Sequence, residues 1–153
     1  MKPFIADVHT HSLLSGHAFG TVRELAAEAA GVIPARITKT LCLMSKEGPM
    51  VICVAGDTKI DNRKFKDKFG LKAKMLTAEE TLEATGHAVG GVCPFDLPEG
   101  TKAYADISMQ RFDTVFPAAG SSNSAVELTC DELFQYGKCV EWVDICKGWQ
   151  EEE

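Results

Sequence analysis

The chain has 153 residues, 45% of them hydrophobic and 25% charged, which suits one domain with its own core and is too short for two. The net charge of −6 excludes broad, non-specific nucleic-acid binding, because phosphate contacts need an excess of Lys and Arg. Apolar runs such as 50–55, "MVICVA", fall far short of the roughly 20 residues that cross a bilayer, so no membrane role is expected.

The first element is a strand-like run at 4–9, "FIADVH", followed by a loop. His9, His11 and His17 are three of the chain's four histidines. Strand alternation puts His9 and His11 on one face with Asp7, and His17 could return from the loop to complete a partial zinc site. Three later segments begin with Thr, carry Glu three residues on and end at Gly: 21–31, 77–86 and 129–137. The Thr oxygen can accept from an early helical N–H while the Glu reaches back, and the Gly tolerates a left-handed last turn. Segment 61–70 reads as a fourth helix, capped by Asp61, with Phe65 and Phe69 facing the core at i, i+4.

Strand-like runs lie at 38–45, 50–56, 102–107, 113–120 and 124–129. "KEGP" joins the first two and predicts an antiparallel hairpin. Strands that come partly in hairpins and partly alternating with helices favour a mixed α+β sheet over a regular βαβ fold. One domain is expected over 1–153, with an acidic tail at 148–153.

Charge is unevenly spread. Residues 59–74 hold seven Lys/Arg against Asp61 and Asp67, whereas 131–153 hold seven acids against Lys138 and Lys147. The basic run reads as a solvated helix face or as a local anion-binding patch. The six cysteines form no C-x-x-C pair, which suggests reduced thiols in a cytoplasmic protein.

Several residues could carry chemistry. Lys39 shares a strand face with Leu41 and Leu43. A lysine there either packs its stem and sends its ammonium to water, or is buried and needs an anionic partner, a state useful in a reaction centre. Two glycine-rich loops, 86–95 and 117–128, can bring bare backbone N–H groups close to an ester or a ribose-phosphate, although tight turns explain them equally well. His87 follows Gly86, where a histidine can bond the last helical carbonyls rather than act as a base. Cys93, beside Pro94, has no activating histidine close by in the sequence and reads as an inert buried thiol.

Together, "GVIPARITKTL", "VICVAGDTKIDNRKFKDKFGLKAKML", "GHAVGGVCPFDLPEG" and "RFDTVFPAAGSSNSAVELT" resemble the YbaK/ProX family of aminoacyl-tRNA deacylases, relatives of the editing domain of prolyl-tRNA synthetases, over residues 21–147. The resemblance implies a mostly antiparallel, curved mixed sheet with flanking helices. It also implies hydrolysis, in trans, of the ester in a mischarged aminoacyl-tRNA, usually a tRNA for proline, with prolyl-tRNA synthetase as a further partner and no required cofactor. Lys39 falls at the family's essential lysine, and Gly90 and Gly91 in the loop whose backbone lies against the ester. Thr38, His87, Ala118, Gly120, Ser121 and Ser122 are the candidate substrate-binding residues. Members that remove cysteine carry a glycine-and-basic turn where this chain has "AAGSSNS", so the amino acid stays open.

Residues 1–20 resemble instead the start of a PHP-type metallophosphoesterase, through "ADVHTHSLLSGHAFGTVRELAAEA". The later ligands of that fold are missing, so a mosaic is expected, with adventitious zinc at His9, His11 and His17 at most. The alternatives are a non-catalytic aminoacyl-tRNA-binding module and, less favoured, a metal-dependent phosphoesterase. No DNA partner is expected.

Overall fold

The structure is a computed structural model that describes residues 2–5, 31–89, 91–120 and 124–149. The candidate metal residues His9, His11 and His17, the helix at 21–30, and Gly90, Ser121 and Ser122 lie outside the described residues.

The central sheet is four-stranded, in the order β2-β3-β5-β8: β2 (Lys39–Ser45), β3 (Gly48–Val54), β5 (Lys102–Asp106) and β8 (Trp142–Val143). β2 and β3 form the expected antiparallel hairpin, with Ser45 opposite Gly48. The turn is therefore the dipeptide Lys46-Glu47, and Pro49 belongs to the strand. β3–β5 and β5–β8 are parallel, which makes the sheet mixed. A second, antiparallel sheet has the order β1-β7-β6: β1 (Lys2–Ile5), β7 (Ser124–Thr129) and β6 (Thr114–Val115). Among the described residues, β4 (Lys59–Ile60) pairs only with β9 (Cys146–Lys147).

Both faces of the central sheet are buried, which is why β3 reads as an unbroken apolar run. Cys42, Val51, Cys53, Ala103 and Ala105 point to one core, shared with Met109, Val115, Leu128 and Leu133. Leu43, Met50, Ile52 and Val54 point to the other, with Phe65, Val143, Ile145 and Cys146. The alternation read from β2 thus holds, with an apolar set on each side.

Helix α1 (Asn62–Phe69) starts at Asp61, whose carboxylate accepts from the Arg63 and Lys64 N–H groups at 3.0 and 3.1 Å. Phe65 is buried, with its ring 4.9 Å from that of Phe69. Thr77 opens α2 (Ala78–Thr85) and Thr129 opens α3 (Cys130–Tyr136), each with a complete capping box to Glu80 or Glu132. Gly70 and Gly86 adopt the left-handed conformation expected after a helix, at φ +77° and +74°.

Gly137 departs from that expectation. Its φ is −77°, and the left-handed residue is Lys138. Glycine is needed there for space, because a Cβ would lie 2.8 Å from the Leu133 carbonyl oxygen and 3.0 Å from the Pro94 Cβ. The run at 113–120 also differs: only Thr114–Val115 is strand, and bridges Ile37–Phe116 and Ala118–Ala125 carry the rest. Pro117 has no N–H to donate, which interrupts a continuous ladder.

Candidate functional site

Lys39 is the first residue of β2, opposite Val54. Just before it, the buried Thr38 donates its N–H to the Phe116 carbonyl at 3.1 Å, and Phe116 donates to the Arg36 carbonyl at 2.9 Å. The start of β2 is thereby sewn to the segment that leads through Ala118 to Gly120. Beyond Val54 the chain turns back sharply. Ala55 N–H donates to Ser108 Oγ at 3.2 Å, Gly56 N–H to the Ala35 carbonyl at 2.9 Å, and Thr58 Oγ to the Ala55 carbonyl at 2.8 Å.

This turn receives the lysine. Lys39 is half-buried, and its ammonium donates to the Thr58 carbonyl oxygen. Two titratable neighbours feel its charge. Partial burial pushes the Asp57 carboxyl up, but bonds and charge from Arg111, helped by Lys39, hold it below the usual carboxylate range. Burial, with nearby Asp106, pushes the Cys146 thiol up to about 12, and Lys39 opposes that rise. Lys39 thus lies between the two fates open to it: half-buried, with a neutral backbone carbonyl among the partners of its ammonium.

The two glycine loops meet at a single side chain. Burial raises the Cys93 thiol, while the backbones of Phe95 and Gly120, one from each loop, pull the other way. His87 joins the cluster. Its Nε2 lies 3.1 Å from the Phe95 carbonyl oxygen and 3.5 Å from Cys93 Sγ. Its Nδ1 edge faces Gly120, where a Cβ would lie 3.8 Å away. The expected bond from the His87 ring to the last helical carbonyls is not what forms. The His87 backbone N–H caps onto Thr85 Oγ at 3.1 Å, and the ring reaches across the loop, because the left-handed Gly86 turns the chain away from the helix axis. Contrary to expectation, Cys93 thus has a histidine neighbour, His87, six residues before it in the same loop. It is 1% exposed, and burial pushes its thiol above the ordinary range.

The Gly91 N–H donates to the Ala88 carbonyl at 3.0 Å, closing a tight turn, the second of the two readings open for this loop. Gly120 is exposed at φ +95°, a conformation that side chains rarely adopt, and Ala118 is half-buried in its bridge to Ala125.

Two functional candidates escaped the sequence reading. Arg111 binds Asp57 bidentately, at 2.6 and 3.0 Å, immediately beside the residue that holds Lys39. They lie 54 positions apart with no shared motif, so no local pattern could pair them. The basic helix reads mainly as a solvated face: Lys64 pairs with Asp144 at 3.0 Å and Lys68 with Glu141 at 2.6 Å, both acids from the acid-rich C-terminal segment. Among the described residues no group of three or more His, Cys, Asp or Glu could hold a metal ion, and no helix is long and apolar enough to cross a membrane.

The model of the aminoacyl-tRNA editing domain family matches residues 18–136. The chain is 51% identical over 129 residues to YwhH of Bacillus subtilis strain 168, an uncharacterized protein, covering 83% of this chain and 82% of YwhH. It is 29% identical over 112 residues to EbsC of Enterococcus faecalis, provisionally named a Cys-tRNA(Pro)/Cys-tRNA(Cys) deacylase, with 72% of this chain and 68% of that one covered. A solved structure provisionally titled a trans-editing enzyme for prolyl-tRNA synthetase superposes with a TM-score of 0.76 at 28% identity, over 82% of this chain and 80% of the other. None of these similarities supports a metallophosphoesterase-like start.

Proposed function

The chain belongs to the aminoacyl-tRNA editing domain family, and from that premise we propose that it is a trans-editing deacylase that hydrolyses the ester of a mischarged aminoacyl-tRNA in the cytosol, with a tRNA for proline as the substrate class. The family acts on mischarged aminoacyl-tRNA. The observation that carries the reading here is Lys39, half-buried at the start of β2, its ammonium held on the Thr58 carbonyl beside the segment that runs to Gly120.

In this reading Lys39 stays cationic and positions a phosphate or ribose oxygen of the terminal adenosine, a task suited to an ammonium, a compact charge that carries three donors. Water adds to the ester carbonyl and gives up a proton, the carbonyl oxygen becomes an oxyanion, and on its collapse the ribose oxygen leaves with that proton and the free amino acid is released. Backbone N–H groups of the glycine loops other than that of Gly91 stabilise the oxyanion, so no Ser-His-Asp set is needed. His87, with Nε2 on the Phe95 carbonyl side, turns its other ring edge toward Gly120 and the aminoacyl group.

The reading is tested with tRNAs for proline charged with alanine, cysteine, serine or proline. One mischarged species should be hydrolysed by the wild type, insensitive to chelator, and Lys39→Ala should lose about a hundredfold or more of that rate. Intact hydrolysis in Lys39→Ala would overturn it. A second reading, binding without turnover, is favoured by the Gly91 N–H being used within its own loop. It predicts tRNA binding with no hydrolysis of any charged species.

A further inference from the structure

Arg111 is held more firmly than a surface arginine needs to be. Its Nη2 and Nη1 donate to the two Asp57 carboxylate oxygens at 2.6 and 3.0 Å, and its Nε donates to the Ser108 carbonyl at 2.8 Å. Its guanidinium carbon lies 4.8 Å from the Phe112 ring centre and 5.2 Å from that of Trp149. The side chain is therefore fixed by a carboxylate fork, a backbone carbonyl and two aromatic rings.

What it fixes is the neighbour of the lysine. Asp57 directly precedes Thr58, whose carbonyl receives the Lys39 ammonium, and its carboxylate is close enough to feel the Lys39 charge. Coulomb's law makes a carboxylate the natural partner of a half-buried ammonium, stronger than a neutral carbonyl. A free Asp57 would compete for Lys39 and neutralise the cation meant for the substrate. In the structure that competition is settled by Arg111, which occupies both carboxylate oxygens. Ser108, on the same 3-10 turn as Arg111, also accepts the Ala55 N–H at the base of the lysine-holding turn.

We propose that Arg111 is a positioning residue for the deacylation: by clamping Asp57 it keeps that carboxylate from capturing Lys39, so that the ammonium keeps its aim at the aminoacyl-tRNA terminus. The inference rests on the deacylase reading of Lys39. It predicts an unusual mutational pattern. Removing Arg111 alone harms the reaction, because the carboxylate is released. Removing the carboxylate as well repairs it.

The experiment compares wild type, Arg111→Met, Asp57→Asn and the double variant, measuring kcat and KM on the mischarged tRNA that the wild type hydrolyses. The reactivity of Lys39 toward an amine-acetylating reagent is followed in parallel by mass spectrometry. Arg111→Met should lower kcat about 10- to 100-fold with KM changed less than about threefold, the scale expected for misplacing a group at a reaction centre. Its Lys39 should also acetylate more slowly than in wild type. Asp57→Asn and the double variant should return to within about fivefold of wild type in both readouts, a non-additivity that only coupled residues show. A double variant as slow as Arg111→Met, or an Arg111→Met with wild-type kcat and Lys39 reactivity, would overturn the inference while leaving the deacylase reading standing. A wild type that hydrolyses nothing would sink the deacylase reading, and the acetylation pattern would still decide whether Arg111 guards Lys39. Folding does not confound the comparison, since the double variant lacks the same ion pair and is expected to be the active one.

Discussion

Gly137→Ala is the sharpest test of how helix packing supports the substrate loop. At φ −77° alanine suits the backbone and removes unfolded-state entropy, an effect that by itself stabilises by about 0.4–1 kcal/mol. The space does not exist, however. The new Cβ would sit 2.8 Å from the Leu133 carbonyl oxygen and 3.0 Å from the Pro94 Cβ, so helix end and loop must part by about 0.5 Å. Overpacking of this kind costs about 1–3 kcal/mol, which outweighs the entropic gain. A net loss of about 1–2 kcal/mol follows, read as a drop of roughly 0.5–1 M in the urea midpoint. Pro94 directly follows Cys93, whose sulfur lies 3.5 Å from the His87 ring that borders Gly120, so the push should also reach the candidate site and slow hydrolysis. Gly86→Ala is the control. Its Cβ would meet nothing within 4 Å, and its cost, about 1–2 kcal/mol, comes from φ +74° alone. A Gly137→Ala protein as stable as the wild type, or more so, would refute the reasoning, because φ and propensity would then have outweighed the contact.

Other outcomes follow from single features. Thr129→Ala breaks the capping box that starts α3 and should cost about 1 kcal/mol in chemical unfolding, with Ser restoring most of it. The buried Cys139 and Cys146 thiols are pushed up to about 11 and about 12. A raised folded pKa means that their contribution is fully present below the unfolded thiol value and is lost as pH rises toward 11 and 12, so unfolding titrations should show stability falling above about pH 9. Asp57 has the opposite sign. Its depressed folded pKa gives stability present above the ordinary aspartate value and lost as pH falls through the lower folded one, and Asp57→Asn should show a shallower acid loss than wild type. In the native protein, half-buried Cys130 should react first with a thiol reagent, and fully buried Cys53 only on unfolding.

The sequence by itself determined the local architecture, because each deciding interaction lies within a few residues. Asp61, Thr77 and Thr129 bond N–H groups two or three positions on, so the starts of three helices were legible from spacing. The β2–β3 hairpin was legible for the same reason, as was the position of Lys39 on the Leu41 and Leu43 face. Only tertiary structure decided the rest. The two-residue strands β4, β8 and β9 exist because distant chain presents a partner edge, and nothing in such short segments specifies pairing alone. Gly137 carries the same signature as Gly86, but what constrains it is Pro94, on another element. The surroundings of Lys39 come from residues 57, 58, 111 and 146, which alternation along β2 could not name. The chain's chemistry-bearing side chains were visible one by one, and their partners were not, since a side chain's charge state and aim are set by whichever groups folding brings within a few ångströms.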